Sequence, residues 1–318
     1  MMPSAHAAPT YFDCDTGIDD ALALLVLARQ SNLRVEGIGT VSGNVSALQA
    51  ARNTLDLLPV IDLVAPVAVG AMDHLTRPFS RRNSVVHGPT GTGRVELPNS
   101  PVQPIAQDAA DLLIELAHRH PGELRVIAVG PLTNLASALQ RDPLLSSLVR
   151  DVTIMGGAAL VPGNVTPAAE ANIYNDPEAA AVVFAAPWPI TMVGLDVTMQ
   201  HRLEEHDRQL MLRSQVPGSA TVAEMLDHYS DFYLGIFGRK SCALHDPLTV
   251  AVAAGLIDVA DAPQVGIEID VTDGPDRGRT VCDLRGRFVG YRDSKECSAR
   301  VVLALTEHFA PTLLRLVN

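Results

Sequence analysis

Short runs rich in Val and Ile alternate along the chain with longer Ala/Leu segments of helical period, and this alternation constrains the fold more than any other feature. Repeated strand-then-helix units predict a largely parallel sheet with helices on its faces, an α/β fold. Strands are expected at 10–13, 33–40, 66–69, 124–129, 152–155 and 190–195, with helices over 19–30 and from near Ser46. Segments 265–271 and 280–284 flank the turn-forming Asp273-Gly274-Pro275-Asp276-Arg277-Gly278 and read as an antiparallel edge hairpin. A helical pattern covers 297–316, with Pro311 expected to break or kink it. Gly, Pro and Arg crowd 73–100, too long for a plain connection and so a candidate active-site loop; 222–243 is a candidate lid.

With 318 residues, 47% of them hydrophobic, the chain can bury one large core, and 1–318 reads as one domain. The formal charge of −12 opposes binding to nucleic-acid backbones or an anionic membrane. A neutral or cationic small molecule fits better. Cys14, Cys242, Cys282 and Cys297 form no CxxC pair, so reduced thiols in a cytoplasm are expected, without zinc or disulfides. The N-terminus lacks a signal-peptide pattern, and the apolar run 21–28 is too short to span a bilayer.

Four carboxylates crowd the first strand-to-helix junction, Asp13-Cys14-Asp15-Thr16-Gly17-Ile18-Asp19-Asp20. Like charges this close raise one another's pKa unless a cation or strong donors neutralise them, and a helix N-terminus gives only partial relief. A bound metal is the simplest explanation. The donors are hard oxygens, with Cys14 expected on the opposite face of the strand end, which favours Ca²⁺ or Mg²⁺ over zinc. A plainer reading makes Asp19 and Asp20 an acidic first helical turn. An EF-hand fails, because Gly17 holds the fifth loop position instead of the sixth and Leu24 stands where the twelfth-position Glu belongs. Asp13-x-Asp15 also resembles the nucleophile motif of magnesium-dependent haloacid-dehalogenase-type phosphatases, in which the first Asp is phosphorylated. Gly17 and the Asp19-Asp20 pair depart from that pattern.

The octet is also similar to the DxDPGxDD signature of the inosine-uridine preferring nucleoside hydrolases, and further segments agree in order. Val41-Ser42-Gly43-Asn44 resembles the family's GN element and Gly130-Pro131-Leu132-Thr133-Asn134-Leu135 its GPLTN element. Ile154-Met155-Gly156-Gly157 resembles its MGG turn, Gly163-Asn164 through Glu170-Ala171-Asn172 its ribose-binding run, and His245-Asp246-Pro247 its late HDP element. Each has a bland reading as a turn or helix cap. Their joint order does not. Several follow an expected strand, which would gather them at the carboxyl edge of a Rossmann-like sheet.

Hydrolysing a nucleoside requires stabilising an oxocarbenium-like transition state, activating water and helping the base depart. The resemblance implies that Asp15, Asp20, Asp246 and the Thr133 carbonyl hold Ca²⁺, which would bind one water and the ribose 2′- and 3′-hydroxyls. Asp15 would double as general base. Asp19, Asn44, Asn164, Glu170 and Asn172 would grip ribose, with Met155 as an apolar floor. His245 is the candidate leaving-group acid, and His87 resembles a second base-side histidine. The family also implies a homodimer or homotetramer. Thr16 departs from the family's usual Pro.

His6, His118, His120 and His228 read as structural, and Tyr229 and Tyr233 as a packing stripe as readily as base contacts. The family's purine-specific branch stacks the base between tryptophans. Trp188, the only one here, falls where packing is expected, so an inosine-uridine or pyrimidine preference is implied. Two rivals remain: the phosphatase using Asp13, and a nucleoside- or ribose-binding protein without catalysis.

Overall fold

The computed structural model describes residues 7–80, 84–290 and 299–318. Its strands are β1 (Ala8–Cys14), β2 (Leu33–Thr40), β3 (Val67–Val69), β4 (Arg125–Ala128), β5 (Asp151–Met155), β6 (Ile190–Val193), β7 (Arg202–Glu204), β8 (Ser241–Ala243), β9 (Val259–Asp261), β10 (Gln264–Val265), β11 (Ile267–Ile269), β12 (Thr280–Cys282), β13 (Ala299–Val301) and β14 (Ala304–Leu305). Eight form the central sheet in the order β10-β13-β6-β5-β4-β1-β2-β3. All neighbours in it are parallel except β10, which runs antiparallel to β13. The α/β expectation holds.

Successive residues of β1 enter different cores, as strand geometry requires. Phe12 and Cys14 join one face with residues of the helices Ile18–Ala28, Ser219–Phe237, His245–Ala254 and Ala310–Val317. Tyr11 joins the other with the helices Ala109–Arg119, Thr133–Arg141 and Pro177–Ala185. Both faces are covered, which is why parallel strands read as apolar runs. The Ile18–Ala28 helix is itself buried from Ile18 to Leu27. Its first turn therefore carries Asp19 and Asp20 into the interior, and a fixed interior helix makes a rigid platform for them.

The chain runs from β1 outward to β3, then crosses to β4 on the opposite side of β1. Strand order reverses there, leaving a crevice beyond the carboxyl ends of β1 and β4. The Asp13–Asp20 segment and Gly130-Pro131 both begin at that crevice.

Two local expectations are corrected. The pattern expected over 297–316 begins outside the described residues, and from Ala299 on it is no single helix: β13 pairs with β6, β14 with β9, and among the described residues of that span only those from Ala310 are helical. Buried Ala299 and Val301 alternate with exposed Arg300, and the open edge of β6 captures the segment. Pro311 lies in the helix's first turn, where its missing N–H breaks no intrahelical bond. The expected antiparallel hairpin is present as β11–β12, set as a two-stranded sheet beside the main one. The strand expected to reach 195 stops at Val193, and Leu195–Thr198 is a helical turn.

Cys14, Cys242 and Cys282 are free thiols; Cys297 and His6 lie outside the described residues. Among the described residues, no helix is long and apolar enough to cross a membrane.

Candidate active site

Beyond β1 the chain turns through Asp15-Thr16-Gly17 into the Ile18–Ala28 helix, and backbone donors hold the carboxylates. Asp20 accepts the N–H groups of Asp15 (3.1 Å) and Gly17 (2.7 Å). Asp15 Oδ2 accepts the Asn44 N–H at 2.5 Å. That approach requires glycine before Asn44, because a Cβ on Gly43 would stand 2.1 Å from Asp15 Oδ2. The Thr16 hydroxyl meets Thr54 Oγ1 at 2.7 Å and Cys14 Sγ at 3.3 Å.

Asp19, Asp20 and Asp246 each offer a carboxylate oxygen, all within 4.8 Å of one another. Burial, followed by the neighbouring carboxylates, pushes the Asp15 and Asp246 carboxyls well above the usual range, and Asp20 rises for the same reasons. Among the described residues, buried Asp13 Oδ1, Asp15 Oδ1 and Asp19 Oδ1 have no hydrogen-bond partner. Unpaired buried acceptors carry a large desolvation cost. Hard oxygen donors that crowd together, raise one another's pKa and keep unpartnered oxygens fit a divalent cation. This trio contains Asp19 where the sequence pointed to Asp15 as ligand; Asp15 is tied to it through Asp20.

Asp13 is different. Fully buried, its Oδ2 accepts from the Tyr11 hydroxyl (2.7 Å) and Asn134 Nδ2 (2.9 Å), and burial raises its pKa to about 7.

A cavity of about 290 Å³ opens beside the cluster. Its lining includes Asp19, Asn44, Met155, Asn164, Glu170, Asn172, Asp246, His87 and His245, so the structure gathers nine of the sequence-selected residues. Asp15, Asp20 and Thr133 are not in the lining. Glu170 caps the short Ala171–Asn175 helix, its oxygens accepting the N–H groups of Asn172 (2.9 Å), Ile173 (3.1 Å) and Gly157 (3.0 Å). Burial nonetheless raises its pKa. Asn172 Nδ2 donates to the Val129 (2.8 Å) and Met155 (3.2 Å) carbonyls, joining the ends of β4 and β5. Asn164 Oδ1 accepts the Ala171 N–H at 3.0 Å.

The remaining wall comes from the Ser219–Phe237 helix and the 84–95 segment. His87 Nδ1 accepts the Ile18 N–H at 3.1 Å, which places the proton of a neutral ring on Nε2. Its ring lies 5.4 Å from that of Tyr229. Tyr229 donates to Asp19 Oδ2 at 2.9 Å, and the Tyr233 hydroxyl meets His245 Nε2 at 2.7 Å. The other ring nitrogen of His245 meets Thr198 Oγ1 at 2.7 Å. Burial lowers the His245 pKa to about 4, so the imidazole is neutral at pH 7. Trp188 is buried away from this cavity, its indole N–H on the Val183 carbonyl at 2.9 Å. His118 pairs with Asp142 on the surface, and His228 meets the Val85 carbonyl.

Residues 10–309 match the family model of the inosine-uridine preferring nucleoside hydrolases. The chain belongs to that family. A uridine nucleosidase of Arabidopsis thaliana is 40% identical over 238 residues, 74% of this chain and 71% of that one. The pyrimidine-specific ribonucleoside hydrolase RihA of Citrobacter koseri is 36% identical over 249 residues, 77% and 78% of the two chains. A solved plant nucleoside hydrolase superposes with a TM-score of 0.88 at 31% identity, covering 98% of this chain and 99% of that one. This nucleoside hydrolase is thus an enzyme of the N-ribohydrolase class.

Sequence reasoning on this nucleoside hydrolase left Tyr229 and Tyr233 undecided, because two aromatics four residues apart on a helix also describe a packing stripe. It missed Thr198 and Asp176. The signal for Asp176 was available: an Asp followed by Pro opens the Pro177–Ala185 helix, an N-cap pattern.

Proposed function

We propose that this enzyme hydrolyses the N-glycosidic bond of ribonucleosides to free base and ribose, with calcium at the Asp15, Asp20, Asp246 and Thr133 positions and a pyrimidine or inosine-uridine preference. The observation that carries the reading is the buried carboxylate cluster, with unpartnered oxygens, beside a cavity walled by amides, a carboxylate and aromatic rings. When bound, calcium supplies a Lewis-acid centre that acidifies water and grips the ribose diol.

The protein's own groups do the rest. Asp15 takes the proton of the attacking water. A hydroxide equivalent adds to the anomeric carbon as its bond to the base nitrogen breaks. Asp19, Asn44, Asn164, Glu170 and Asn172 bind and orient the sugar hydroxyls over Met155, holding the ring where charge develops. His245, held between the Tyr233 and Thr198 hydroxyls, would act from its protonated form, taking a proton from solvent and giving it to the departing base nitrogen to return to the neutral ring, and His87 presents Nε2–H on the same side. Names of the relatives, uridine nucleosidase and pyrimidine-specific hydrolase, support the base preference. So does the absence of tryptophan from the cavity lining. Against the phosphatase reading, Asp13 is fully buried and lines no part of the cavity, and its Oδ2 is held by Tyr11 and Asn134.

The test is turnover of uridine, cytidine, inosine and adenosine in ¹⁸O-water with calcium present. Base and ribose in equal amounts, with ¹⁸O in the ribose and uridine or inosine fastest, is the expected result. Uridine binding without base release would favour a binding protein. Phosphate release from phosphomonoesters, with no ribose from any nucleoside, would overturn the assignment in favour of Asp13 chemistry.

A further inference from the structure

Asp176 lines no part of the cavity, yet it is 1% exposed and its two oxygens take donors from three separate segments. Oδ2 accepts from the Thr133 hydroxyl at 2.6 Å and from the Leu75 N–H at 2.7 Å. Oδ1 accepts the Ala179 N–H at 3.1 Å, capping the Pro177–Ala185 helix. Capping alone would use one oxygen; the other ties two distant segments to the same point.

Thr133 is the first residue of the Thr133–Arg141 helix. The residues before it lie near the acidic cluster: an added Cβ on Gly130 would stand 3.2 Å from Asp15 Oδ1, and Pro131 lies beside Gly43, its Cδ 2.8 Å from where a Cβ on that glycine would be. Asn134 braces the opposite side. Its Oδ1 accepts the Ala71 N–H (2.8 Å), and its Nδ2 donates to Asp13 Oδ2 (2.9 Å) and the Thr40 carbonyl (3.0 Å). Side chains of two consecutive residues therefore pin the peptide between them from two directions. A backbone carbonyl has no net charge to draw it to a cation, so a carbonyl ligand depends on its scaffold for position.

We propose that Asp176 is a positioning residue for the metal site. Through the Thr133 hydroxyl it holds the first turn of the Thr133–Arg141 helix, and with it the Thr133 carbonyl, in register with the Asp15, Asp20 and Asp246 carboxylates. Through Leu75 it fastens the start of the 73–100 loop to the same point. The inference rests on the calcium reading above.

The test is calorimetric titration of calcium into chelator-stripped protein, for the wild type, Thr133→Val, Thr133→Ser, Asp176→Asn and the Thr133→Val/Asp176→Asn double variant. Thr133→Val keeps the side-chain shape and every candidate ligand atom while removing the hydroxyl. It should weaken calcium binding about tenfold or more, and Thr133→Ser should bind as the wild type does. Asp176→Asn should weaken binding comparably, and the double variant should be little worse than either single one, since both break the same link. Should Asp176→Asn fail to fold, the Val and Ser pair still decides. Wild-type affinity in Thr133→Val, or additive losses in the double variant, would overturn the positioning role alone. Absence of calcium binding by the wild type would overturn the calcium reading and this inference with it.

Discussion

Asp13 and Asp15 stand two residues apart at one strand end, and their surroundings assign them different work. Asp13 Oδ2 is held by Tyr11 and Asn134, whereas Asp15 stands against Asp20, whose carboxylate takes its N–H and, after burial, does most to raise its pKa. Asp15→Asn should therefore lower kcat by about 10²–10⁴, the range for loss of a general base, and Asp13→Asn by much less; steady-state uridine turnover ranks the two. Tyr229→Phe should cost about 1–3 kcal/mol of stability in chelator, because the buried Asp19 Oδ2 loses its donor. Urea unfolding reads that loss. The acidic octet was legible in the sequence because crowded carboxylates have few innocent explanations. The tyrosines were not, since their roles depend on which way a helix faces.

Between residues and the whole molecule, backbone conformation sets the site's shape. Gly157 has φ +81°, and an added Cβ would stand 2.9 Å from both Met192 Sδ and Thr280 Oγ1. Gly157→Ala should destabilise by more than about 1 kcal/mol and disturb the Gly157 N–H that holds Glu170; denaturant midpoints and KM for uridine would show both. The Ala310–Val317 helix is met at its N-terminal end by His201, whose Nδ1 accepts the Phe309 N–H at 3.1 Å. Burial, with the His308 ring 5.4 Å away, lowers the His201 pKa from 6.5 to about 4. Above pH 6.5 both folded and unfolded states are neutral there and the stability is intact. As pH falls toward 4 only the unfolded chain takes the proton, so stability is lost. Urea midpoints should fall more steeply over that range for the wild type than for His201→Asn. This element also marks a limit of sequence reading. Alternation in Ala299–Val301 is too short to outweigh helical periodicity, and only the open edge of β6 decides its conformation.

For the molecule as a whole, the order of βα units carried most of the information. Once the sheet is parallel and reverses at β1 and β4, motifs scattered from Asp15 to Asp246 meet at one carboxyl edge. The pairing of β13 and β10 at the far edge was not legible, because it depends on which strand end remains uncovered. A chain of formal charge −12 that concentrates buried carboxylates in its core gains from a cation. Calcium at about one hundred times its Kd should stabilise the fold by about 2.7 kcal/mol, seen as a rise in Tm over chelated protein. The central claim is that hydrolysis depends on a cation held by this cluster, and uridine turnover against free calcium after complete chelation tests it most directly. The account predicts that ribose release falls to background in chelator and returns saturably as calcium is restored; full turnover in chelator would contradict it.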